Sequence, residues 1–150
     1  MADASRLTSL ALLRWALGVQ SVAAAVFSLA QWKSTVAFNT AITGQAGAPL
    51  GSAVAVALLL AGGVSLLTNR WVRAGSACLL VFLVVATVRH GLVAADISAV
   101  EPLGALAKRG QLASLAKNVP LIAAVVTILL QANERLRSAR TSGSAPKAPE

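Results

Sequence analysis

The stretch LGSAVAVALLLAGGVSLLTNRWVRAGSACLLVFLVVATVRH, residues 50–90, decides the fold. It holds two apolar runs, Leu50 to Thr68 and Trp71 to His90, separated by a connection that carries Arg70 and leads into Arg73. At about 1.5 Å of rise per residue, a helix needs about 20 residues to cross the hydrocarbon of a bilayer, and each run has that length. The connection is so short that the two must form an antiparallel hairpin.

Charged residues divide the rest of the chain in the same way. Arg14 and Lys33 enclose 18 uncharged residues, and Lys117 and Glu134 enclose 16. Long basic side chains can snorkel to the interface where an apolar run is slightly short. Four spans are therefore expected, at about residues 7–31, 50–68, 71–90 and 112–133. The expected fold is all-α, an integral membrane four-helix bundle over residues 1–133 followed by a basic, largely disordered tail over 134–150.

Composition agrees with this. Of 150 residues, 57% are hydrophobic and 12% charged, with a mean hydropathy of +0.74, whereas soluble domains carry about 25% charged residues. A chain of this length forms one domain, and so few charges could hardly cover its surface in water. Disorder is excluded by the hydrophobicity, and a disulfide scaffold by the single cysteine, Cys78. The net charge of +8 would suggest nucleic acid in a soluble chain. Here the basic residues sit in short segments between uncharged runs, with no basic stripe interleaved with aromatics, so nucleic acid is not expected as a partner.

The positive-inside rule accounts for the excess instead. With four spans, the N-terminus, the second connection and the tail share one side, which holds Arg6, Arg14, Arg70, Arg73, Arg135, Arg137, Arg140 and Lys147. The other side holds Lys33, Arg89, Lys108, Arg109 and Lys117. The bias favours N-in/C-in, in a bacterial inner membrane. Trp15 with Arg14, Trp32 with Lys33, and Trp71 with Arg73 read as membrane anchors, because indole rings prefer the headgroup level. Seventeen residues of helix would set Trp15 and Trp32 about 25 Å apart. As an alternative, Ser28-Leu29-Ala30 offers the small residues of a signal-peptidase site, with a mature start at Gln31.

The connections differ in kind. Residues 34–49, with Asn39, Gly44, Gly47 and Pro49, are expected to lie as a loop against the outer end of the bundle. Residues 91–111 form the most polar outer region, with Asp96, Glu101, Lys108 and Arg109, and Glu134 to Arg137 are expected to extend the last helix before disorder from Thr141 onward. Within the bilayer, small residues should mark helix contacts: Gly18 with Val22 and Ala25, Gly62 with Gly63 and Ser65, Ala74 with Cys78, and Ala123 with Thr127.

Few residues could carry chemistry. Arg14, about two turns into the first helix, is either a snorkelling anchor or half of an ion pair with Glu134. His90 is the one histidine and cannot build a zinc site, which needs three or four ligands. No nucleophile elbow and no phosphate-binding glycine loop is present. The informative cluster is at the outer ends of helices three and four: Arg89, His90, Lys108, Arg109, Gln111, Lys117 and Asn118. It could hold a quinone carbonyl, an anionic small molecule or a lipid headgroup, or consist only of anchors and loop salt bridges. Pro120 follows Lys117-Asn118, so helix four either begins there or is opened by the missing N–H.

Leu12-Leu13-Arg14 with Gly18, Gly62-Gly63, Arg70 with Ala74-Gly75, His90, and Lys117-Asn118 before an apolar last helix together resemble the DoxX-like family of small four-helix membrane proteins. The sequence Ser28 to Lys33 departs from the family's close of helix one, and helix two lacks the acidic residue many members carry. The resemblance implies a membrane accessory subunit of redox metabolism, linked to quinone and to a membrane or peripheral oxidoreductase, without self-contained catalysis. Arg89, His90, Lys117 and Asn118 would then contact the quinone or, in its place, an anionic ligand. A transporter module for small molecules or lipids, working as a homo-oligomer, and a purely structural bundle are the competing expectations.

Overall fold

The computed structural model describes residues 2–96 and 102–143, and within them only helix is found apart from the turns between helices. The order is α1 (Ala2–Ala30), α2 (Trp32–Thr68), α3 (Val72–Asp96) and α4 (Pro102–Gly143). Four segments are long and apolar enough to cross a membrane: Thr8–Ala30, Gly44–Thr68, Val72–Asp96 and a stretch within Gly104–Ser138. Large apolar side chains such as Leu12, Phe27, Val54, Val85 and Leu130 project outward from them. An apolar surface on every side of a bundle is what lipid covers and water does not.

α1 begins at Ala2 rather than Leu7, α3 runs on to Asp96 rather than closing at His90, and three boundaries differ more widely from expectation. Residues 32–43, of which 34–43 were expected as loop, are a helical arm of α2 that breaks from the span at Gly44, where φ 70° and ψ 170° lie in a region open essentially to glycine. The arm lies against the distal end of the bundle, the end opposite the chain termini: Thr35 Oγ1 donates to the Ser28 carbonyl at 3.1 Å, and Asn39 Nδ2 donates to the buried Ser52 hydroxyl. Next, α4 begins at Pro102 rather than Leu112, and it continues to Gly143, past the Thr141 at which disorder was expected. Pro120 therefore lies inside α4, which removes the N–H that the Ala116 carbonyl would accept. Ala, Leu, Lys and Arg between Leu103 and Gln111, and Glu, Leu and Arg between Glu134 and Arg137, are good helix formers, so these polar stretches continue α4 at both ends. Glu101, residues 144–150 with Lys147, and the side chains of Arg6 and Arg140 lie outside the described residues.

The helices form a ring in chain order. Each packs firmly on its neighbour, α1 on α2, α2 on α3 and α3 on α4, while α1 and α4 touch at only a few points. Leu17, Val56, Leu59, Leu66, Leu79, Leu83, Val125 and Ile128 fill the centre. The adjacent glycines of α2 serve two different neighbours. A Cβ on Gly63 would stand 3.0 Å from the Gly18 carbonyl of α1, and one on Gly62 would stand 3.0 Å from the Gly75 carbonyl of α3. Such close approach is how helices associate where lipid removes the hydrophobic drive.

On α3 the contact face is Gly75 and Ser76, both buried, rather than Ala74 and Cys78, which are exposed and half-buried. Ala123 and Thr127 face outward, and α4 presents Val125 and Ile128 to the core instead. At the proximal end, α2 closes on Asn69 in the left-handed conformation (φ 56°, ψ 20°), and Trp71 also has a positive φ of 55°.

Candidate functional site

A cavity of about 190 Å³ opens along the loose α1–α4 seam in the distal half of the bundle. Helical spacing brings its lining together. Phe82, Leu83, Ala86 and His90 recur on one face of α3, and Lys117, Asn118, Leu121 and Val125 on one face of α4. α1 contributes Leu17, Gln20, Ser21 and Ala24, and α2 reaches in with Leu59. The walls are therefore mostly hydrocarbon, with polar groups at one end.

Those polar groups are held in place. Asn118 is buried and donates through Nδ2 to Thr87 Oγ1 at 3.2 Å, while Thr87 Oγ1 lies 2.6 Å from the Leu83 carbonyl one turn earlier, to which it donates. One side-chain hydrogen bond uses only part of the capacity of a carboxamide, which has two N–H donors and a carbonyl oxygen. His90 Nδ1 stands 2.6 Å from Gln111 Oε1, which accepts from the Nδ1–H tautomer and leaves Nε2 as the ring's second site. Ser21 donates to the Leu17 carbonyl at 2.7 Å, which satisfies its hydrogen within α1. Lys117 is exposed at the rim.

Of the four residues singled out from the sequence, three line this cavity: His90, Lys117 and Asn118. Arg89 does not. Its guanidinium stacks 3.6 Å from the centre of the Phe38 ring, and Nη2 donates to the Phe38 carbonyl at 2.9 Å. Arg89 therefore clamps the helical arm onto α3, a role that a loop over residues 34–49 would not give it. The Phe38 ring also lies 6.4 Å from that of His90, so the arm roofs this end of α3. Lys108 and Arg109 are absent from the lining, and Gln111 enters only as the partner of His90.

Thr87, Gln20 and Ser21 were missed. Thr87 sits three residues before His90, so helical spacing was a usable signal for its sharing that face. Nothing in the sequence aligns α1 with α4, so Gln20 and Ser21 had none.

The tryptophans and their basic neighbours divide. Trp15 and Trp71 expose their rings, as do Lys33 and Arg73 their charges, whereas Trp32 is half-buried and packs against the hydrophobic core. Arg14 Nη1 donates to Asn69 Oδ1 in the α2–α3 turn, rather than pairing with Glu134, which is exposed. Among the described residues no group of three or more His, Cys, Asp or Glu could hold a metal ion. Cys78 is a free thiol.

Comparison with known proteins adds no name to this geometry: no family model, no curated protein and no solved structure matches the chain.

Proposed function

We propose that the chain is a multi-pass protein of the bacterial inner membrane, oriented N-in/C-in, that holds the ring of a quinone-type molecule in its distal cavity and serves a membrane oxidoreductase as an accessory subunit. The observation that carries this reading is the cavity itself, with aliphatic and aromatic walls and His90, Lys117 and Asn118 meeting at one end. Drug-sized ligands occupy roughly 300–1,000 Å³. A space of about 190 Å³ suits a single substituted ring whose isoprenoid tail stays in lipid.

The chemistry suits both redox forms. A quinone carbonyl accepts hydrogen bonds, which the Lys117 ammonium and the second Asn118 N–H supply. A quinol hydroxyl donates, and in the neutral Nδ1–H tautomer of His90 the Nε2 lone pair accepts. No group of this chain changes oxidation state in that exchange, so electrons pass between the quinone and a partner's cofactor. The resemblance to DoxX-like proteins read from the sequence supports the same assignment, and the uneven distribution of basic residues supports the orientation.

Titration of the purified protein in nanodiscs with a short-chain ubiquinone or menaquinone, by equilibrium dialysis, tests the site. Asn118→Leu fills the cavity and removes the amide, and His90→Ala removes the acceptor. Each should weaken binding about tenfold, since tenfold is about 1.4 kcal/mol and a hydrogen bond with its packing contributes on that order. Unchanged binding in both variants, or no binding by the parent chain, defeats the quinone site. A mild-detergent pull-down that recovers no oxidoreductase defeats the subunit role separately.

A further inference from the structure

The same seam opens a second time at the proximal end, around a different chemistry. This cavity, about 330 Å³, is lined by Arg14 of α1, Arg73 of α3 and Arg135 of α4, with Asn69, Trp71 and Gln131 beside them and no carboxylate in its wall. Arginines from three helices thus border one space, although each belongs to a different basic segment of the sequence. Like charges brought together without an intervening anion repel one another, the more so beside a low-dielectric interior.

None of the three is neutralised within the described residues. Arg14 gives Nη1 to a neutral amide, Asn69 Oδ1, while its Nε is shut off from solvent with no partner. A buried donor left unsatisfied is costly. The remainder of the lining is apolar, with Leu10, Ala11, Ile128, Ala132 and Leu136, and Trp71 stands at the rim with 81% of its surface exposed. The pocket therefore has a cationic part and a greasy part, at the level where indole rings anchor.

We infer that this pocket binds the phosphate-bearing headgroup of an anionic membrane phospholipid. Planar guanidinium forks match phosphate oxygens, and basic pockets between spans on the cytoplasmic side bind such headgroups. The volume accommodates a phosphodiester with its glycerol, and the apolar lining meets the first carbons of the acyl chains. A free phosphate would satisfy the arginines but leave Leu10, Ile128 and Leu136 facing water, so the lipid fits the whole pocket and the ion only half of it.

Native mass spectrometry and titration of the full chain in detergent, with phosphatidylglycerol, phosphatidylcholine and inorganic phosphate as probes, decide the matter. The parent chain should retain phosphatidylglycerol at least tenfold more strongly than phosphatidylcholine. Arg73→Gln with Arg135→Gln leaves the Arg14–Asn69 contact intact and should abolish that preference. Lys108→Gln with Arg109→Gln removes the same charge from the distal part of α4 and should leave it unchanged. A loss equal in both double variants would reduce the effect to general electrostatics and overturn the site. Saturable binding of inorganic phosphate without any lipid preference would overturn the lipid assignment.

Discussion

Asn69 meets two separate demands. Its backbone takes the left-handed conformation that ends α2, and its side-chain oxygen receives the Arg14 guanidinium from α1. Substitution separates them. Asn69→Ala keeps a Cβ in the left-handed region, at a cost of about 1–2 kcal/mol, and loses the acceptor as well. Asn69→Gly loses the acceptor alone, and because that bond is exposed the loss should stay below about 1 kcal/mol. Reversible unfolding in mixed micelles should therefore rank parent, Gly and Ala in that order. Equal destabilisation of the two variants would show that the turn's backbone is not under strain. Trp71, two residues on, also has positive φ, where a bulky side chain is unfavourable. A ring placed there at such cost is consistent with its place at the rim of the arginine pocket.

Among the elements, α2 joins the bundle because its two adjacent glycines meet α1 and α3. The α2–α3 crossing is the tighter, since a Cβ on Gly75 would come within 2.4 Å of Ser65 Cβ. Gly75→Ala should destabilise the protein by about 1–3 kcal/mol, as overpacking does. Gly110→Ala is the control: a Cβ there meets nothing within 4 Å, and the change should be neutral or slightly stabilising through helix propensity. Melting temperatures in one detergent would compare them, and equal shifts would refute the close-packed crossing. The glycine faces on α1 and α2 were legible because glycine is scarce enough to mark a contact. On α3 the reading missed by one position, choosing Ala74 over Gly75, since alanine is too common in this chain to carry information. The arm of α2 and the extent of α4 were illegible for another reason. Hydropathy reports depth in lipid, and a short polar helix at the interface looks like a loop to it, although Ala, Leu, Lys and Arg between Leu103 and Gln111 are good helix formers.

For the molecule as a whole, four spans require both termini on one side. In a Cys78→Ser background, Ser5→Cys and Ser144→Cys should both resist a membrane-impermeant maleimide in intact cells and react once the membrane is permeabilised. Labelling of both from outside would invert the proposed orientation, and labelling of only one would break the four-span topology. The place of the distal cavity followed from sequence to a large extent: three polar residues near the ends of two spans had to meet if those spans were neighbours. The arginine pocket was not foreseen, because Arg14, Arg73 and Arg135 each read alone as an anchor and only the ring order of helices gathers them.

That ring is fastened on three sides and barely closed on the fourth. The molecule is hinged like a book, with its spine along α2 and α3 and its open edge where α1 faces α4. Both chambers lie on that open edge, one near each end of the same slit. For the guests proposed above the slit is a sideways entrance: a quinone ring would reach the distal chamber from the hydrocarbon, and a lipid headgroup the proximal one from the interface.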